Sequence, residues 1–211
     1  DYQRSFIDFM LDVGVLTFGD FTTKSGRKTP YFVNTGKYRS GSQLATLGRA
    51  YADAIERSFP EGFDCLFGPA YKGIPLVVAV SMAFAERGRN VEFCFNRKEA
   101  KDHGEGGTLV GAQLKGNVLI TDDVISAGTS VRESIEWIQQ AGATACGVAI
   151  ALDREERGNG TASAAQEVTK EFGIPVIAIA GLNDLIEFLE SQSVGNIDIE
   201  AIRRYRSEYG V

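Results

Sequence analysis

Between Val118 and Ser130 the chain reads Val-Leu-Ile-Thr-Asp-Asp-Val-Ile-Ser-Ala-Gly-Thr-Ser, and no other stretch so narrows the folds open to it. Its first residues are an apolar run of the kind that forms a buried strand. Asp122 and Asp123 stand where that strand should end. Ser126, Ala127, Gly128, Thr129 and Ser130 make a turn of small and hydroxyl residues, after which Val131, Ile135 and Ile138 recur at helical spacing. Strand, turn and helix N-terminus together form a cradle in which backbone N–H groups and hydroxyls face an anion. The paired acid at its rim can take sugar hydroxyls or a hydrated Mg²⁺. A phosphorylated sugar answers both demands. By itself an acid pair before a turn is only a turn former and helix cap. The five small or hydroxyl residues that follow turn the reading toward a binding site. Neither G-x-x-x-x-G-K-[ST] nor G-x-G-x-x-G occurs, so the usual ATP and dinucleotide cradles are excluded.

The remaining patterns place this stretch in an α/β chain. Residues 2–13 carry apolar positions at helical spacing, with Gly14 as a stop. Val15–Phe21 reads as a strand and 42–58 as an amphipathic helix. Asp64–Gly68 is a short buried strand, and a helix begins at Pro75, a good first-turn residue, and lasts to about Arg87. Val91–Phe95 is a strand, and 96–111 a polar loop with four glycines. After the central strand and helix come a strand at Thr144–Leu152, a helix at 162–172, a strand at Pro175–Ala180 and two further helices. Such alternation predicts a parallel sheet covered by helices on both faces. Ligands then bind beyond the carboxyl ends of the strands, where the loops after Phe67, Phe95, Ile120 and Leu152 belong.

Composition removes several classes. A length of 211 residues fits one domain, and no linker or repeat marks a second. A net charge of −6 argues against a nucleic-acid partner, while a local cluster of Lys and Arg can still govern an anionic cleft. No apolar run reaches the length of a membrane span and no signal peptide opens the chain, so a cytoplasmic location is expected. The three cysteines, Cys65, Cys94 and Cys146, lie far apart in apolar settings and read as buried free thiols.

Four further segments carry chemistry. Gly68-Pro-Ala-Tyr-Lys-Gly73 is a turn between strand and helix that sets Tyr71 and Lys72 at the ligand edge and can offer N–H groups to a pyrophosphate. Residues 97–107 mix cations and glycines and hold the single histidine, His103. A solvated loop is the ordinary fate of such a segment, and a lid closing over an anionic transition state is the functional one. A histidine there suits proton transfer or contact with a pyrophosphate. Arg154, just past a predicted strand, can either fork a substrate carboxylate or join a surface ion-pair cluster with Glu155 and Glu156; spacing leaves the two even. In Lys24–Asn34, aromatic residues beside cations can stack on a planar anionic ring, although Phe32 could equally be core.

Taken in order, Phe21–Phe32, Phe67–Pro75, Phe95–Gly107 and the acid-pair stretch resemble the orotate phosphoribosyltransferases of the type I phosphoribosyltransferase family, over essentially the whole chain. The resemblance implies an α/β fold: a central, mostly parallel sheet flanked by helices, a small hood over about residues 1–40, a core over about 41–211 and a mobile catalytic loop. It implies transfer of the 5-phosphoribosyl group from phosphoribosyl pyrophosphate to orotate with Mg²⁺, giving orotidine 5′-phosphate and pyrophosphate in pyrimidine biosynthesis. Carried over by position, Asp122 and Asp123 hold the ribose hydroxyls, directly or through a metal bound mainly by substrate and water. Val124, Ile125 and Ser126 to Ser130 (Ala127, Gly128, Thr129 between them) hold the 5′-phosphate. Tyr71 and Lys72 meet the pyrophosphate. Arg97, Lys98, Lys101 and His103 form the lid, and Lys101, His103, Asp122 and Asp123 are the catalytic set. Arg97, Lys101 and His103 would reach the partner subunit's site in a homodimer. Lys24, Phe32, Val33, Ser126 and Arg154 hold orotate, with Lys24 also near phosphoribosyl pyrophosphate. Ser126 stands where hypoxanthine-guanine enzymes place an Asp and many orotate enzymes a Thr. That position disfavours the first rival, a purine phosphoribosyltransferase. The second rival is a non-catalytic sensor of phosphoribosyl pyrophosphate, which could dispense with Lys101 and His103.

Overall fold

The computed structural model describes residues 2–23, 26–101, 107–158, 160–192 and 197–211, with only the backbone of Ala100 and Lys101. Helix α1 (Tyr2–Asp12) is followed by an antiparallel hairpin, β1 (Leu16–Thr22) and β2 (Lys28–Val33), then by α2 (Gly41–Ser58). Next come β3 (Cys65–Gly68), α3 (Gly73–Glu86), β4 (Glu92–Lys101), β5 (Gly107–Gly111), β6 (Asn117–Thr121) and α4 (Thr129–Gln140). The chain ends with β7 (Thr144–Asp153), α5 (Ala164–Phe172), β8 (Val176–Gly181), α6 (Leu182–Gln192) and α7 (Ile199–Tyr209).

Six strands form one sheet in the order β5-β4-β3-β6-β7-β8, parallel throughout except for the antiparallel edge pair β4 and β5. Strand alternation sorts its side chains into two layers. Leu66, Leu119, Ala149, Ala151 and Ile179 face a core shared with α1, α2, α3, α6 and α7. Cys65, Phe67, Val118, Ile120, Val148 and Ile150 face a second core closed by α4 and α5. Leu66, Leu119, Phe67 and Ile120 are wholly buried, and each contributes about 1.5–3 kcal/mol of transfer free energy. Burial on both faces is why these strands read as unbroken apolar runs.

The strand order reverses between β3 and β6: from β3 the chain proceeds to β4 on one side, and from β6 to β7 on the other. At such a switch point the loops leaving adjacent carboxyl ends diverge and open a crevice. The two loops here are residues 69–72 and 122–128.

Three sequence expectations require correction. Within the predicted loop at 96–111, β4 runs on to Lys101 and β5 covers Gly107–Gly111, the two pairing antiparallel with Asn96 opposite Leu109 and Lys101 opposite Gly107. An edge pair is solvated on one side and is held by backbone bonds, so its sequence need not alternate cleanly. Helix α3 starts at Gly73 rather than at Pro75, which lies within its first turn. Cys65 and Cys94 are buried free thiols, but Cys146 is only partly buried. Among the described residues, no helix is long and apolar enough to cross a membrane.

Candidate active site

The acid pair follows directly on β6 and is held to β7 by backbone bonds: Asp122 N–H donates to the Ala149 carbonyl at 3.0 Å, and Ala151 N–H to the Asp123 carbonyl at 2.9 Å. The two carboxylates therefore have fixed and different surroundings. Asp122 is 7% exposed. It accepts Asp123 N–H at 2.9 Å and the Ser130 hydroxyl at 3.0 Å, while the buried Tyr51 hydroxyl donates to its backbone carbonyl at 2.7 Å. Burial, and then the Asp123 charge, push the Asp122 carboxyl up to about 7, against the two hydrogen bonds that favour its ionised form. Asp123 accepts Val124 N–H at 2.8 Å, the Thr35 hydroxyl at 2.5 Å and the Lys72 ammonium at 3.3 Å.

The helices that open onto this crevice differ from α2, α5 and α7 in their first turns. Ser40, Ser163 and Asp198 each cap a helix with a side-chain oxygen, at α2, α5 and α7. Helices α3 and α4 begin on Lys72 and Gly128 with no side-chain cap. At α4 the leading N–H groups and the dipole are left for a ligand, and an anion is the ligand they favour; at α3 the first two N–H groups, of Gly73 and Ile74, already donate to the Pro69 and Tyr71 carbonyls at 3.0 and 3.2 Å, so that helix offers its dipole. Gly128 takes a left-handed φ of 73°, which lets the turn enter the helix without a Cβ clash. Beside it the Arg132 guanidinium donates to the Ala127 carbonyl at 2.7 Å, fixing the turn from outside.

The other wall is the 69–72 loop. A Cβ on Gly68 would lie 2.3 Å from the Gly73 carbonyl oxygen, so only glycine allows the strand to meet the helix this closely. Asn96 of β4, 3% exposed, accepts Ala70 N–H at 2.7 Å and ties the loop to the edge strand. Tyr71 stands 67% exposed, with the Lys98 ammonium 5.2 Å from its ring centre. Between the walls lies a cleft of about 770 Å³ lined by Asn96, Arg97, Lys98, Asp122, Val124, Ile125, Ser126, Gly128, Thr129 and Ser130, among others.

Most sequence-predicted residues therefore converge. Asp122, Asp123, Lys72, Tyr71, Arg97, Lys98 and the 124–130 turn surround one crevice. Phe32 is not core: it is 43% exposed and stacks on Phe21 with ring centres 5.4 Å apart, while Tyr31 fills the interior. Val33 is partly buried against the first core. Arg154 follows β7 and is already paired, donating from Nε to Glu156 at 2.9 Å. Glu155 takes no part in that pair; it accepts Asn183 N–H at 3.1 Å. Lys24, His103 and the Lys101 side chain lie outside the described residues. Sequence reasoning missed Thr35, Tyr51 as a donor, and Asn96. Only Asn96, a lone amide in a strand end, left a trace in the sequence.

An acid pair and two uncapped helix ends at a parallel-sheet switch point define a phosphoribosyltransferase cleft, and the model of the phosphoribosyl transferase domain matches residues 35–176. The chain is 60% identical over 211 residues to an orotate phosphoribosyltransferase of Chromobacterium violaceum, covering 100% of this chain and 98% of that protein. A solved orotate phosphoribosyltransferase of Francisella tularensis shares 39% identity with a TM-score of 0.88, over 98% of this chain and 100% of the other. This chain belongs to the orotate phosphoribosyltransferase family. The fold extends to a Mycobacterium tuberculosis orotate phosphoribosyltransferase solved with phosphoribosyl pyrophosphate, at 21% identity and a TM-score of 0.65, over 88% of this chain and 99% of that one.

Proposed function

We propose that the chain transfers the 5-phosphoribosyl group from phosphoribosyl pyrophosphate to orotate, releasing pyrophosphate and orotidine 5′-phosphate, in pyrimidine biosynthesis in the cytoplasm. The observation that carries this reading is the pairing of Asp122 and Asp123 with the uncapped start of α4. The α4 N-terminus with Ser126, Ala127, Gly128, Thr129 and Ser130 binds the 5′-phosphate, and the acid pair binds the ribose hydroxyls. Lys72, Tyr71 and the N-terminal dipole of α3 receive the pyrophosphate. Phe32, Val33, Ser126, Arg154 and Lys24 hold the base.

The bond from ribose C1 to the pyrophosphate oxygen breaks, its electron pair leaving with the pyrophosphate and the sugar passing through an oxocarbenium-like state, while orotate N1 forms the new bond to C1 and its proton passes to water. No protein nucleophile is required. Cations must offset charge gathering on the leaving group, the role of Lys72 and of the lid residues Lys101 and His103. Asp123 orients Lys72 at 3.3 Å, and Thr35 in turn fixes Asp123. The site also suits Mg²⁺. Among the described residues no group of three or more His, Cys, Asp or Glu could cage a metal. Two adjacent carboxylates are the sparse protein ligation that Mg²⁺ accepts when phosphates and water complete its shell. Bound beside Asp122 and Asp123, it would neutralise pyrophosphate charge.

A homodimer with Arg97, Lys101 and His103 reaching the partner subunit's site is supported by an exposed apolar groove of about 310 Å³ between α2 and α3. It includes Leu44, Val78 and Met82, the last 62% exposed. The sharing of one core by α1 and the α2–α3 layer supports reading 1–211 as a single domain with a hood over about 1–40.

The test is loss of orotate ultraviolet absorbance with phosphoribosyl pyrophosphate and Mg²⁺, beside hypoxanthine and adenine. Orotate loss that depends on both additions supports the proposal. Turnover of a purine alone would move the substrate to that class, and tight phosphoribosyl pyrophosphate binding without turnover of any base would make the protein a sensor.

A further inference from the structure

Arg154 is held on every side but one. Its Nε donates to Glu156 Oε1 at 2.9 Å and its Nη2 to Glu156 Oε2 at 3.3 Å, filling one edge of the guanidinium fork. The same Nη2 reaches the Thr29 hydroxyl at 3.2 Å and the Tyr205 hydroxyl at 3.3 Å. Its Cζ lies over the Tyr31 ring, 4.5 Å from the ring centre. Nη1 takes part in none of these bonds. An arginine so fixed holds the two N–H groups of Nη1 in a set direction, with little rotamer entropy left to lose when a carboxylate arrives.

The fixing groups come from far along the chain. Tyr205 lies on α7, and its hydroxyl also donates to Glu156, closing a triangle of Arg154, Glu156 and Tyr205. Helix α7 is in turn stitched to the loop after β7: Arg157 N–H donates to the Tyr209 carbonyl at 2.8 Å, and Val211 N–H to the Glu155 carbonyl at 3.0 Å. Tyr205 meets the Tyr31 ring edge-on at 5.9 Å, which joins α7 to β2, the strand that carries Phe32. Two walls of the proposed base site are thereby held by one helix.

We propose that Glu156 and Tyr205 are positioning residues for Arg154, so that the α7 helix sets how the enzyme grips the carboxylate of its planar base. This rests on the reading that Arg154 holds orotate. Neither residue touches the reacting atoms. Their loss should therefore weaken base capture and leave the phosphoribosyl half of the site intact.

The experiment is steady-state kinetics on the full chain with varied orotate and varied phosphoribosyl pyrophosphate, for Tyr205→Phe, Glu156→Gln, Arg154→Ala and the double variant Arg154→Ala/Tyr205→Phe. Tyr205→Phe and Glu156→Gln are each expected to raise the orotate KM about fivefold, the effect of losing one hydrogen bond. The phosphoribosyl pyrophosphate KM and kcat should stay within about twofold of wild type, and the double variant should match Arg154→Ala alone, because the tyrosine acts only through the arginine. If Arg154→Ala raises the orotate KM while the two positioning variants leave it unchanged, this inference falls and the base-site reading stands. If Arg154→Ala itself changes nothing, the reading of Arg154 fails and this inference with it. A fall in kcat and in melting temperature together with a rise in both KM values would overturn the proposal in favour of a purely structural role for α7.

Discussion

Replacing Asp122 by asparagine removes a charge from a carboxyl that is 7% exposed and that burial, then the Asp123 charge, push from 3.8 to about 7. In the unfolded chain this carboxyl loses its proton near the ordinary value; in the folded chain it keeps the proton until about neutrality. Between those limits the folded state binds more protons, so wild-type stability falls as pH rises through the window and the loss is complete above it. From 3.8 to about 7, at 1.36 kcal/mol per pH unit, the loss approaches about 4 kcal/mol. Asparagine has the same shape and no charge to desolvate, and its Oδ1 can keep the bond from Asp123 N–H. The difference in unfolding free energy, variant minus wild type, should therefore grow by about 2–4 kcal/mol between about pH 5 and about pH 8. Urea unfolding without phosphoribosyl pyrophosphate or Mg²⁺, at one protein concentration, measures this directly. Phosphoribosyl transfer by the same variant should fall by about a hundredfold or more, since the site's charge is what destabilises it. A stability difference independent of pH would refute the burial argument. A variant less stable than wild type at about pH 8 would mean that the folded site fully compensates the charge.

Lys72→Ala should separate activity from stability. The Lys72 side chain is 61% exposed, so its pair with Asp123 adds under about 1 kcal/mol, and the urea midpoint should hold while kcat/KM for phosphoribosyl pyrophosphate drops about a hundredfold. Gly68→Ala would place a Cβ 2.6 Å from the Val77 Cβ, and a loss of about 3 kcal/mol is expected in a thermal melt; an unshifted melting temperature would show that the loop and α3 can part without cost. Thr35→Val removes the 2.5 Å donor to Asp123 and should raise the phosphoribosyl pyrophosphate KM about tenfold without moving the orotate KM. Burial pushes the Cys65 thiol up to about 12 and those of Cys94 and Cys146 up to about 11. Iodoacetamide at about pH 8 should leave all three unmodified in the native protein and label them in urea; labelling of the native chain would contradict that protection.

The parts of the site that were legible in the sequence are those built from neighbours along the chain. An apolar strand, a paired acid, a small-residue turn and a helix start within Val118–Ser130 specify an anion cradle because strand alternation, glycine's freedom at Gly128 and the helix dipole act over a few residues. The Gly68–Gly73 turn likewise sets Tyr71 and Lys72 beside the crevice through local chain geometry. The bonds that complete the site join residues distant in sequence: Thr35 to Asp123, Tyr51 to the Asp122 carbonyl, Asn96 to Ala70 N–H. Each donor or acceptor there is a common residue whose local pattern gives no sign of its partner. The edge pairing of β4 and β5 within 96–111 was missed because backbone pairing, not side-chain alternation, makes these residues strands.

Sequence by itself thus determined the α/β class and the strand, acid pair, small-residue turn and helix start within Val118–Ser130. Tertiary structure alone decided that Asp122 would be desolvated and Asp123 would hold Lys72. It also decided which edge of Arg154 is filled, since Glu156 and Tyr205 meet that guanidinium only after α7 has folded back onto β2 and the loop after β7. Burial and hydrogen bonding depend on what packs around a group, and that is fixed only when the whole chain has closed.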